Sequence, residues 1–194
     1  MNLADARLKG LDNPSLNADE RALLRCRVAA EFIQTGQYEA AREALGAFWR
    51  GVGERPNVEG LDEKTAAEVL LQVGALSGWL GASEQVTGAQ GAAKDLISES
   101  MSLFETLAEG ARAAVARSDL ALCYWREGAY DEARVLLVKA FDELAGAGAE
   151  QRARVLLRRI TVEYAAGRLN DALNLLTEYA PLLDGSEDHA LIGS

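Results

Sequence analysis

Gly128-Ala129-Tyr130-Asp131-Glu132-Ala133 separates two apolar stretches, residues 114–127 before it and a segment with Leu137 and Phe141 after it. The same punctuation recurs at Gly36-Gln37-Tyr38-Glu39-Ala40-Ala41 and at Gly167-Arg168-Leu169-Asn170-Asp171-Ala172. In each, a glycine precedes Tyr or Leu by two places, and an Ala stands five places after the glycine. Glycine tolerates the left-handed conformation that closes a helix C-terminus. The Tyr or Leu is placed to plug an elbow between two helices. Glu39, Asp131 and Asp171 fall in the first turn of the following helix, where the macrodipole favours negative charge. The small Ala lets the two helices approach.

Working outward, residues 22–35, 114–127 and 153–166 precede these turns, and Leu45 with Phe48, Leu137 with Phe141, and Leu176 with Tyr179 follow them. Apolar residues three and four apart mark amphipathic helices folded back in antiparallel pairs. A divergent unit fills the gap between the first turn and the second. Its first helix is expected over 64–80, ended by Gly81, with 82–91 as an insertion before a helix holding Ala93, Ile97 and Met101. The expected hairpins are 19–50, 62–108, 111–145 and 150–183, forming one repeat domain over 19–183. Residues 1–18 are an extension, disordered or a short helix, and 184–194 are the start of a further helix or a linker. Such an end suggests one part of a longer protein.

Composition agrees with an all-α fold. Of 194 residues, 49% are hydrophobic and 26% charged, with only 3 Pro, so a core is available and helix breakers are rare. The net charge of -10 disfavours phosphate backbones and anionic membranes. A basic cluster, Arg152, Arg154, Arg158 and Arg159, has no aromatic residues interleaved and reads as a solvated helix face paired with carboxylates. No apolar run is long enough to span a bilayer, and the N-terminus has no signal-peptide core. Cys26 and Cys123, each inside a helical segment, point to a reducing cytoplasm and small buried side chains.

The turns and their flanks resemble the tetratricopeptide repeat, a helix–turn–helix unit of about 34 residues with spaced Leu, Gly, Tyr, Ala and Phe positions. Leu120, Ala121 and Tyr124 stand where that family has Leu, Gly and Tyr, followed by Ala133, Leu137 and Ala140 in the second helix. Val28, Ala29, Phe32, Ala41, Leu45 and Phe48 repeat the pattern, and Leu70, Val73 and Gly74 follow it more loosely. Glu163 stands where an aromatic residue belongs. Steps between turn glycines of 45, 47 and 39 residues exceed the family's length. The resemblance implies a right-handed α-α superhelix, or solenoid, of about four helix pairs whose first helices line a concave groove. It places Ile33, Gln34, Leu71, Trp79, Leu122, Trp125, Arg126, Thr161 and Tyr164 on that groove.

No catalytic set accompanies this pattern. The single His, His189, lies near the C-terminus, no H-E-x-x-H or phosphate loop occurs, and two Cys with one His cannot cage zinc. The expectation is therefore a non-catalytic, cytoplasmic, bacterial-type scaffold with no cofactor and no metal. Its partner is a protein or peptide, bound as an extended peptide or helix in the groove. Homo-oligomerisation through the C-terminal repeat is the alternative.

Overall fold

The computed structural model describes residues 8, 11 and 14–184, and of residue 184 the backbone alone. Most of the 1–18 extension, the segment beyond Asp184 and His189 lie outside the described residues. The described residues hold α1 (Ala18–Gln34), α2 (Tyr38–Leu45), α3 (Glu63–Ser83), α4 (Ala89–Thr106), α5 (Gly110–Arg126), α6 (Tyr130–Glu143), α7 (Ala149–Ala165), α8 (Leu169–Glu178) and α9 (Ala180–Asp184). No strand occurs among them, so the fold is all-α. The chain divides into two compact units, Met1–Leu107 and Ala108–Ser194.

Three of the hairpins turn the same way. Gly36, Gly128 and Gly167 all have φ between 71° and 78°. In each, the amide after the glycine reaches back to close the helix: Gln37 N–H to the Phe32 carbonyl at 2.8 Å, Ala129 to Tyr124 at 2.9 Å, and Arg168 to Glu163 at 2.9 Å. This ending satisfies carbonyls that the helix leaves unpaired.

The second hairpin is built differently, and Gly81 does not end its first helix. α3 runs through Gly81 to Ser83, and the left-handed residue is Gln85, with φ 55°. The equivalent closing bond is Val86 N–H to the Gly81 carbonyl at 2.9 Å. Gly81 serves packing instead. A Cβ there would lie 2.2 Å from the Ala89 Cβ, and one at Gly74 would lie 2.7 Å from Ile97 Cγ1. Two bare positions thus let α3 and α4 run in close contact. The Ser100 hydroxyl ties them further, donating to the Ala67 carbonyl at 2.8 Å.

In the first unit, Asn17 and Glu20 form a reciprocal cap on α1, with both bonds at 2.9 Å. Asp62 caps α3 by accepting from Thr65 N–H at 2.7 Å, while its own amide donates to Asp19 at 2.9 Å. The N-termini of α1 and α3 are therefore stitched together. α2 has only 8 residues, shorter than the expected hairpin boundary at residue 50 allows. Buried Arg25 donates to the Ala44 carbonyl in its last turn at 2.9 Å. The following loop is pinned by buried Trp49, whose indole N–H donates to the Glu54 carbonyl at 3.1 Å. The core joins Phe32, Leu45, Trp49, Leu70, Val73 and Leu76.

In the second unit, Leu137, Phe141, Leu144, Val155, Leu156 and Val162 form the core. Arg158 of α7 donates to Ser118 Oγ and meets Asp119, both at 2.7 Å, joining α7 to α5. Glu163, at the position where the repeat pattern has an aromatic ring, is 4% exposed. It meets Arg134 of α6 at 2.8 Å and also Arg168, which bonds Asp131 at 3.0 Å. A buried carboxylate ringed by guanidinium groups thus occupies the space of a ring. Glu163 beside it holds the Arg168 guanidinium above the usual arginine range.

Candidate binding surface

The sequence-derived groove positions separate by exposure. Leu71 is fully buried and Leu122 is 8% exposed, so both are core residues that offer a partner little or no surface. The face of Leu71 could not be assigned by periodicity, because α3 is apolar nearly all round, with 13 of its 21 residues buried. Trp79 is half-buried and stacks on Tyr38. Ile33 is half-buried against the first core, and Gln34 is exposed.

In the second unit the first helices present more. Trp125 and Arg126 are half-buried at the end of α5. Thr161 is exposed, its hydroxyl donating to the Leu157 carbonyl at 2.9 Å, and Tyr164 is 68% exposed in the last turn of α7.

Two features of this unit escaped the sequence reading. The first is an open trough of about 420 Å³ between α5 and α6, lined by Leu120, Tyr124, Val135 and Leu136 with Asp131 and Glu132 at its edge. The second lies on α8. Leu169, expected to plug an elbow, is 53% exposed, and Leu173 and Leu176 are 60% and 39% exposed. Ala172, Leu175 and Tyr179 face inward, and at about 100° per residue the three leucines extend that apolar sector to roughly 160°. The spacing of Leu169, Leu173 and Leu176 was the available signal. It marks an apolar face wider than its neighbours cover.

Other charged and aromatic side chains engage one another. Arg154 pairs with Glu150 at 2.5 Å, while the Arg152 and Arg159 guanidinium carbons stand 4.4 Å and 5.0 Å from the Phe141 ring centroid. Phe141 and Tyr179 meet edge to face at 5.0 Å. Glu178 beside its hydroxyl holds the Tyr179 phenol above its ordinary value. Cys26 and Cys123 are buried thiols. Among the described residues no His, Cys, Asp or Glu cluster could hold a metal ion, and no helix is long and apolar enough to cross a membrane.

No protein-family model and no curated protein matches the chain. A solved structure does share its fold. The crystal structure of BtubC (BKLC) from P. vanneervenii is similar with a TM-score of 0.53, over 95% of this chain and 73% of that one. At 15% identity the likeness concerns the fold alone.

Proposed function

We propose that the chain is a tetratricopeptide-like superhelical repeat domain acting as a non-catalytic, cytoplasmic scaffold that grips a peptide or helix of another protein. One observation carries the reading. In the second unit, the first helix of each pair offers Trp125, Arg126, Thr161 and Tyr164 wholly or partly to solvent. Trp, Tyr and Arg are the residue types that dominate interface energetics. The three glycine turns of one design support the repeat. Partner capture from the source cell, followed by calorimetry with the purified partner, tests the proposal. Tyr164→Ala and Trp125→Ala are each expected to weaken binding at least tenfold, and unchanged affinity for both removes these helices from the interface.

The exposed leucines of α8 favour a second reading, self-association through the last repeat. Light scattering over a range of concentrations separates the two, since a strict monomer eliminates this one.

A further inference from the structure

The trough between α5 and α6 lies away from the face just described. On α5, Leu120 and Tyr124 are one turn apart, whereas Trp125 and Arg126 fall roughly 100–160° around the helix from them. The two surfaces can therefore be tested independently, and this inference does not rest on the preceding one.

The lining of the trough is largely apolar. Val135 is 67% exposed, a large β-branched side chain held in solvent in the middle of α6. The two charged residues that line it, Asp131 and Glu132, are both acidic. Asp131 is bonded to Arg168, while Glu132 forms no ion pair among the described residues. No Lys or Arg lines the trough. The whole chain carries a formal charge of -10, so the long-range field favours the same sign of partner as the local one.

We infer that this trough is a docking site for a basic, apolar segment of another protein, one that places a Leu-sized side chain against Val135, Leu136 and Tyr124 and a Lys or Arg beside Glu132. An acidic or purely polar segment has nothing to pair with at the rim. Apolar contact sets the register, and the acidic edge adds rate and selectivity.

A fluorescently labelled peptide of alternating Leu and Lys, titrated into the full chain, serves as the probe. Its counterparts carry Glu for Lys or Ser for Leu. The Leu/Lys peptide is expected to bind at least tenfold more tightly than either. Val135→Asp should weaken it tenfold even though the variant adds an attractive negative charge, which separates docking from general attraction. Glu132→Lys should weaken it severalfold. Both trough positions are exposed, so circular dichroism is expected to show the wild-type fold. Failure of the Leu/Lys peptide to bind, equal binding of the Glu version, or indifference to Val135→Asp each overturns the assignment.

Discussion

Tyr38, the first residue of α2, and Trp79, near the end of α3, stack ring on ring with centroids 5.4 Å apart and planes 18° apart. The residue that begins the second helix of one pair thereby braces the first helix of the next. Trp79 is bound up in packing within its own unit, which explains why an aromatic residue at a groove position need not be a recognition residue. Offset-stacked rings contribute about 0.5–1.5 kcal/mol beyond the area they bury. A double-mutant cycle of Tyr38→Ala and Trp79→Ala in urea denaturation is expected to show coupling in that range. Strict additivity would refute the brace.

Glycine at helix interiors should behave in opposite ways at two places. Gly81→Ala forces a Cβ into the Ala89 Cβ and is expected to destabilise the protein by about 1–3 kcal/mol, outweighing the gain in helix propensity. Gly91, inside α4, has no neighbouring atom within 4 Å of where its Cβ would be. Gly91→Ala should raise stability by roughly 0.5–1 kcal/mol. Thermal melts of both variants check the contrast.

Gln85 holds the left-handed conformation that glycine holds in the other three turns. Gln85→Gly should stabilise the protein by about 1 kcal/mol, the cost of a Cβ in that region less the extra chain freedom of glycine. Gly128→Ala should lose a similar amount. Denaturant midpoints for the two variants should therefore move in opposite directions.

Removing Glu163 leaves Arg134 and Arg168 facing each other without their shared carboxylate. Because Arg134 is 43% exposed and can be resolvated, Glu163→Ala is expected to cost roughly 1–3 kcal/mol, below the range for a fully buried pair. Glu163→Gln keeps the shape but loses the charge and should fall between. Chemical denaturation of the three proteins in one buffer gives the order.

Arg55 forks onto both carboxylate oxygens of Glu99 at 2.7 Å, and holds that carboxyl below its ordinary value. A depressed folded-state value means the pair stabilises fully above the ordinary 4.5 and stops doing so as pH falls through the lower folded value. The stability difference between wild type and Arg55→Met should accordingly shrink on acidification. A carbon-detected titration of Glu99 should also move toward the ordinary value in the variant.

The turns at Gly36, Gly128 and Gly167 were readable because one local rule, a left-handed residue closing a helix, acts there through the residue best suited to it. The same rule misplaced the second turn. Gly81 is glycine for reasons of contact with Ala89, which only the fold reveals, and Gln85 carries no signature of its backbone state. Core and surface were likewise legible on α8, whose apolar residues occupy one sector, though not how far that sector outruns its cover. They were illegible on α3, where Leu70 and Leu71 are both buried and no polar face marks which way is out. Glu163 showed as a departure from the pattern. Its compensation by Arg134 and Arg168 comes from neighbouring helices, and pairing across helices leaves no trace in local spacing.

The bare line along α3 sets a limit on how the first unit can change. Gly74 and Gly81 are two helical turns apart on one face, so enlarging either residue would wedge two rods apart at one end and tilt the partner rod along its whole length. Variation in this half of the chain should therefore collect in the loop after α2 and at the exposed tip after Ser83, while that single seam stays closed to any side chain.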